Sequence, residues 1–396
     1  MYHMNRRITT GIDIGTYQVK MVVVEEVADK GGRKVRIIGT GSAPTRGMHQ
    51  GYVVDKGEVV ASIRAAKQAA EHAARVPIQN GFLALGSVSL DEARATGDAI
   101  ISRADQEVTE LDMETALKHA REAAAPHFLN HRVLHEIPLE YRVDGTKTYG
   151  DPVGMKGTRL EADFLFITYL ATHLDALVSA AEDADIEIVD QMASPLAGSH
   201  VTLTNDQKMR GCVLTNIGAE TTSIAVYDEG IPLSVKIFPS GSMQITDDIA
   251  LAFKVPLEDA ERVKLGRLGG TMYPRKKVDD LINTRLSRTL QLIEKHLKTL
   301  SRRGPLPAGI VLSGGGAGAN GIIDLARKSL ELPARQAEFV LGGASTSTSK
   351  SRDGIWAVAY GIALWGLTGD TETPRRTGFA SRAQTSLRKL LHQFLP

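Results

Sequence analysis

Two stretches far apart in the chain carry the same short device. Thr10-Gly11-Ile12-Asp13-Ile14-Gly15-Thr16 runs into Val19-Lys20-Met21-Val22-Val23-Val24, and Gly211-Cys212-Val213-Leu214-Thr215-Asn216-Ile217-Gly218 runs into the β-branched stretch 221–226. Each reads as an apolar strand, a polar-Ile-Gly corner and a returning strand, so Asp13-Ile14-Gly15 and Asn216-Ile217-Gly218 occupy matching places in two hairpins. Such a corner offers backbone N–H groups and, in the second copy, the hydroxyls of Thr221 and Thr222, the equipment of a nest for phosphate. One glycine at a hairpin corner is usually a plain turn. Repetition changes the weight: two related hairpins suggest two related halves facing one site. A third cluster, Ser313-Gly314-Gly315-Gly316-Ala317-Gly318, follows an apolar strand and opens toward Ile322 with the form strand, glycine turn, helix start. There backbone approaches a ligand closely, with a helix N-terminus behind it. The Gly-Lys-Ser/Thr of a Walker loop is absent.

The chain around these loops has 396 residues, enough for two or more cores. Lys and Arg number 47 against 46 Asp and Glu, a net charge of +1, so no bulk field argues for nucleic acid. The one cysteine, Cys212, sits in an apolar strand and reads as a buried reduced thiol. No early stretch has the form of a signal peptide, and no segment approaches the roughly 20 apolar residues that span a bilayer. A cytoplasmic chain is expected.

Residues 8–43 read as a β-meander, 59–74 as an amphipathic helix and 81–86 as the next strand. From about residue 87 the texture changes. A helix over 109–125 and a strand over 131–143 do not repeat the core pattern and sit where a small insertion would interrupt the first half. His131 and His135 lie four apart in that strand, too far for joint metal ligation, and read as core or interface histidines. The first half is expected to resume at 162–170, a buried strand, and to run through a connecting helix with Pro195 in its first turn. Residues 206–210 read as a solvated turn before the second hairpin. The long helix over 278–300 carries its apolar stripe for packing onto its own subdomain rather than a coiled coil.

Beyond Gly366 the composition shifts to a polar, Pro-interrupted linker. In the last stretch, 381–396, Leu387, Leu390, Leu391, Phe394 and Leu395 form one helical stripe, with Arg388, Lys389 and His392 on the other face. This reads as an interfacial amphipathic anchor. Burying the five apolar side chains contributes at most roughly 1.5–3 kcal/mol each, before the ordering of a helix this short. Anionic lipids add about 1 kcal/mol per basic residue, so charge matters as much as apolar area.

Three glycine loops in this order are the layout of the actin, hexokinase and seventy-kilodalton heat-shock ATPase superfamily. Within it the chain resembles the FtsA family of bacterial cell-division proteins, through Thr45-Arg-Gly-Met-His-Gln-Gly51, His131-Arg-Val-Leu-His-Glu-Ile-Pro138, Asp151-Pro-Val-Gly154, Glu258-Asp-Ala-Glu-Arg-Val-Lys264 and Trp356-Ala-Val-Ala-Tyr-Gly361. The resemblance covers nearly the whole chain. It implies an α/β actin-like fold of two halves, 1–85 with 165–205 and 206–240 with 309–366, around a nucleotide cleft. It also implies an inserted subdomain at 86–164, a small subdomain at 241–308, a linker at 367–380 and a membrane-targeting helix at 381–396.

The resemblance further implies ATP with Mg²⁺, phosphates at Gly15, Thr16, Gln18, Gly218, Ala219 and Thr221, and the nucleoside at Glu261, Lys264, Gly314, Gly315, Gly316 and Ala317. Asp13 would hold Mg²⁺ through water. As partners it implies the chain itself in actin-like filaments, the FtsZ C-terminal tail at a subdomain where Arg285 matches a basic position, anionic inner-membrane lipids, and other divisome proteins. Four positions depart from the family pattern. Asn216 stands where aspartate is usual, and Glu220 interrupts a Gly-Gly-Gly-Thr corner. Gln18 replaces a basic residue, although Lys20, two along the strand, projects to the same side. Ser194 takes the place of a glutamate thought to orient the attacking water. Together they imply binding with weak or absent hydrolysis. A pilus-assembly adaptor of the same branch and a small-molecule kinase on the same fold are the alternatives; the kinase requires a base near a substrate pocket, which these departures remove.

Overall fold

Valines at successive positions of one strand have no solvent face to offer, so the strand must be covered on both sides. In this computed structural model, which describes residues 7–29, 32–300, 305–338 and 354–368, Val22 and Val24 face one layer and Met21 and Val23 the other, all fully buried. They lie on β2 (Gln18–Asp29), which returns antiparallel along β1 (Arg7–Ile14) after the first glycine corner. The chain continues through β3 (Gly32–Pro44), a small hairpin of β4 (Met48–His49) and β5 (Tyr52–Val53), α1 (Lys56–Ala74) and β6 (Asn80–Leu85). Asp55 caps α1 by accepting the Glu58 N–H at 3.1 Å.

Next come β7 (Leu90–Ile100), α2 (Glu110–Ala124), β8 (His131–Val143), β9 (Thr146–Thr148) and β10 (Arg159–Leu170), an antiparallel sheet in the order β7-β10-β8-β9 with α2 packed on it. The return to the first half expected at 162–170 is corrected here. β10 hydrogen-bonds along its length to β7 and β8, so its apolar run is the central strand of the insertion. It reads as core because Leu165, Ile167 and Tyr169 do pack on the first half, while Phe164 and Phe166 face α2.

After α3 (Ala171–Glu182), β11 (Glu187–Ala193) and α4 (Ser194–Thr202), the expected turn at 206–210 is instead a helix, α5 (Asn205–Arg210). Thr204 and Gln207 form a capping box, and the Lys208 stem is buried with its ammonium 5.0 Å from the Tyr227 ring centre. Burial lowers the Lys208 pKa to about 8. The second half follows as β12 (Cys212–Ile217), β13 (Thr222–Asp228), β14 (Ile231–Phe238), α6 (Met243–Phe253), α7 (Leu257–Lys264), α8 (Arg275–Thr299), β15 (Ile310–Ser313), α9 (Ile322–Leu330), β16 (Ala334–Gln336) and α10 (Ala357–Thr368). The stripe of α8 buries Val278, Leu286, Leu290 and Ile293 in the core it shares with β12, α6 and α9.

The repeat seen in the sequence is a repeat of topology. The first sheet is ordered β3-β2-β1-β6-β11 and the second β14-β13-β12-β15-β16. In both, an antiparallel three-strand meander is extended by two parallel strands. The halves meet where α4 packs against α10, and α10 also covers β1. Cys212 is buried in the core, as read, and burial pushes its thiol pKa up to about 12. His135 is buried too: its Nε2 accepts the Ala193 N–H at 3.1 Å, and burial lowers its pKa to about 4. His131 hydrogen-bonds the Leu129 carbonyl.

Candidate nucleotide-binding cleft

Both glycine corners close by the same bond. The Gly15 N–H donates to the Gln18 carbonyl at 3.1 Å and the Gly218 N–H to the Thr221 carbonyl at 2.8 Å. The two corners face a single cleft of about 990 Å³ between the halves. Asp13, Gly15, Thr16 and Gln18 line it from one side, and Asn216, Gly218, Ala219 and Thr221 from the other. Tyr17, which the sequence did not single out, lines it as well and is 62% exposed.

Strand register sets the charge of each wall. Asp13 lies opposite Lys20 across β1 and β2, and the pair closes at 2.5 Å, largely buried. Asn216 lies opposite Ser223 across β12 and β13, and Ser223 also lines the cleft. At the corner strands themselves, therefore, the first-half side carries a carboxylate and an ammonium and the Asn216 side only neutral hydrogen-bonding groups. Lys20 does project to the side that the sequence indicated, and it supplies the positive charge that Gln18 lacks.

The third loop needs glycine for a packing reason. Gly314 has φ of +86°, and a Cβ there would lie 2.2 Å from Asn216 Oδ1 and 2.5 Å from the Ile217 carbonyl oxygen. The loop is thus pressed against the second corner. Gly315 and Gly318 have nothing within 4 Å of a Cβ and open to the cleft, whose lining also includes Gly316. Ala317 is corrected: its side chain is buried in the second-half core and is no part of the lining. Thr222 is corrected too, because its hydroxyl is buried and donates to the Ser240 carbonyl at 2.6 Å.

Glu261 and Lys264 are neighbours on one face of α7. Lys264 Nζ meets Glu261 Oε2 at 2.5 Å, Thr246 Oγ1 at 2.8 Å and the Ser242 carbonyl at 3.2 Å. Leu257, Leu265, Tyr273 and Ile282 add an apolar wall beside them, suited to a flat base. Ser194 starts α4 with its side chain buried beside Gly86, where a Cβ would approach its Oγ to 2.6 Å. The remaining acidic side chains of the cleft, Asp247, Glu258 and Asp279, belong to α6, α7 and α8.

Among the described residues no cluster of three or more His, Cys, Asp or Glu side chains is placed to hold a metal ion. Mg²⁺ typically keeps several waters and takes one or two carboxylates plus substrate phosphates. Asp13 supplies one carboxylate, shared with Lys20, so the donor set fits Mg²⁺ only as it arrives on a nucleotide. Glu220 does not line the cleft; its carboxylate turns toward residues 49 and 50. Arg285 grips Asp248 through Nε at 2.7 Å and Nη2 at 2.6 Å. Leu387, Arg388, Lys389, Leu390, Leu391, Phe394 and Leu395, with the linker before them, lie outside the described residues. No described helix is long and apolar enough to cross a membrane.

Two duplicated sheets, each with a glycine corner on a shared cleft, define the actin-like ATPase fold. Solved structures agree in fold. The PilM-PilN type IV pilus biogenesis complex aligns with a TM-score of 0.69 at 20% identity, over 91% of this chain and 98% of the other. MreB5 of Spiroplasma citri bound to ADP aligns at 0.50 and 14% identity, over 91% and 97%. Residues 213–361 match the family model described as cell division protein FtsA, and residues 94–168 the SHS2 domain inserted in FTSA. The cell division protein FtsA of Escherichia coli K12 is 30% identical over 405 aligned positions, covering 94% of both chains. That of Pseudomonas aeruginosa is 28% identical over 382, covering 91% of this chain and 89% of its own. This chain belongs to the FtsA family of cell-division proteins.

Proposed function

We propose that this chain is an ATP-binding adaptor of the division machinery in which nucleotide acts as a conformational ligand and is hydrolysed slowly or not at all. The carrying observation is the cleft between two matching corners, charged on the Asp13–Lys20 side and neutral on the Asn216 side. Lys20 would meet the phosphates as a point charge, the free N–H groups of the corners would cradle them, and the Glu261–Lys264 pair with the 314–316 loop would hold the nucleoside. Bound Mg²⁺ would neutralise phosphate charge, with Asp13 holding its water. No strong base stands on the phosphate side: Ser194 is a hydroxyl, Asn216 an amide, and the Asp13 carboxylate is already paired.

The family role extends the proposal to assembly of the chain into filaments, docking of the FtsZ tail on the 241–308 subdomain, contact with other divisome proteins, and attachment to anionic lipid on the cytoplasmic face of the membrane through 381–396. Arg285 would serve the FtsZ tail only by exchanging Asp248 for a carboxylate of the partner. The test is calorimetric titration with ATP, with and without Mg²⁺, followed over hours for released phosphate. Saturable binding without release supports the reading. Steady turnover refutes the assignment of Ser194 and Asn216, and absence of binding refutes the nucleotide site.

A further inference from the structure

The geometry points to Glu220 as a positioning residue that fastens the phosphate-facing corner of the second half to the first half, across the mouth of the cleft; this rests on the nucleotide reading above. Glu220 Oε2 accepts the backbone N–H of Gln50 at 2.5 Å, and His49 Nδ1 stands 3.2 Å from the same oxygen. The glutamate side chain is only 19% exposed. Gln50, its donor, sits in the turn between β4 and β5 with φ of +48°.

Both ends of this contact are anchored, so it joins two rigid bodies rather than two loose loops. On the first-half side, Val54 and Asp55 N–H groups both donate to the Gly47 carbonyl, at 2.8 and 3.0 Å. Gly51 lies so close to Ser87 that a Cβ on it would come within 2.5 Å of the serine Cβ. The Tyr52 ring packs against His173, tilted by 55°, with centres 4.2 Å apart. On the second-half side, the Gly218 and Ala219 carbonyls accept the Ser242 and Met243 N–H groups at 2.9 and 2.7 Å, tying the corner to the start of α6. A Cβ on Gly241 would fall 2.3 Å from the Ala219 carbonyl oxygen.

One carboxylate thus connects three parts: the corner that faces the phosphates, the subdomain that begins at α6, and the first-half turn at 49–50. A charge-assisted hydrogen bond between a carboxylate and a backbone N–H is of the strong, directional kind. It fixes how far the second corner stands from the first, and so how tightly both enclose a phosphate chain. The residue that interrupts the family's glycine corner points out of the cleft and holds it shut.

The test uses the full chain. Dissociation of a fluorescent N-methylanthraniloyl ATP is followed by stopped flow for wild type, Glu220→Ala and Glu220→Gln, with amide hydrogen exchange of the peptide holding residues 47–54 measured on the same proteins without nucleotide. Glu220→Ala is expected to release nucleotide at least tenfold faster and to raise exchange in that peptide. Glu220→Gln keeps an acceptor for the Gln50 N–H and should recover most of both effects, which a general loss of structure would not allow. Unchanged exchange and an unchanged off-rate in Glu220→Ala overturn the proposal. Unchanged exchange overturns it even where the rate moves. If wild type binds no nucleotide, the nucleotide reading fails, and the exchange measurement alone decides whether Glu220 joins the halves.

Discussion

The α4–α10 crossing permits a matched pair of substitutions with opposite expected signs. A Cβ at Gly361 would lie 1.8 Å from the Ala197 carbonyl oxygen and 2.7 Å from its carbon, so Gly361→Ala must push two helices apart by more than an ångström. Neither side can yield by side-chain rotation, because the obstacle is backbone. Leu196, Ala197, Val358 and Ile362 around it are all buried, so the separation opens a seam in the core. Overpacking typically costs about 1–3 kcal/mol, and a clash of backbone with no relief belongs at about 3 kcal/mol. One residue along the facing helix, a Cβ at Gly198 points elsewhere and would meet only Leu214 Cδ2 and Val358 Cγ2, both at 3.7 Å. Gly198→Ala should therefore be neutral or stabilising by up to about 1 kcal/mol, since alanine orders a helix interior at less entropy cost. Of the two tryptophans, Trp356 immediately precedes α10 and Trp365 lies on it, packed edge-on against Phe82 of β6. Tryptophan fluorescence during urea unfolding therefore reports this crossing directly. A Gly361→Ala midpoint equal to wild type, or a Gly198→Ala loss as large as that of Gly361→Ala, refutes the packing argument.

Acid should weaken the fold before the carboxylates titrate. Burial holds His135 at a pKa of about 4 and, with help from Lys208 and His135, His200 at about 3, whereas unfolded histidines protonate near 6.5. The unfolded chain binds more protons across that window, so the histidine contribution to stability is full above about pH 7 and is lost as pH drops toward 4, by on the order of 3 kcal/mol from His135 alone. Urea midpoints at pH 7.5 and 5 that coincide would contradict this. Asn216→Asp restores a second carboxylate at the neutral corner with little change of shape. It is expected to make ATP affinity several-fold more dependent on Mg²⁺, and an unchanged titration with and without the ion would show that position 216 does not face it.

The glycine corners were legible because a tight return beside a ligand admits few residue types, and because the pattern occurs twice. The sheet that β10 joins is not legible in its sequence, for a physical reason. An apolar run announces burial on two faces but not which strands will pair with it, and β10 is covered by α2 on one side and the first half on the other. Helix α5 was hidden by polarity: five hydrophilic residues look solvated, yet Lys208 is buried beside Tyr227, and the Thr204–Gln207 box was the readable signal. Thr222 and Thr221 alternate across a strand, so only one of them faces the cleft. The orientation of Glu220 was beyond any local reading, since its partners come from a turn that folding alone brings near.

The most direct measurement is a structure of the full chain with Mg²⁺ and a non-hydrolysable ATP analogue. The account predicts phosphate density between Gly15–Thr16 and Gly218–Ala219, Lys20 Nζ turned from Asp13 to a phosphate oxygen, and the nucleoside beside Glu261, Lys264 and Gly314–Gly316. Nucleotide bound elsewhere, or a cleft left empty at saturating analogue, would contradict it.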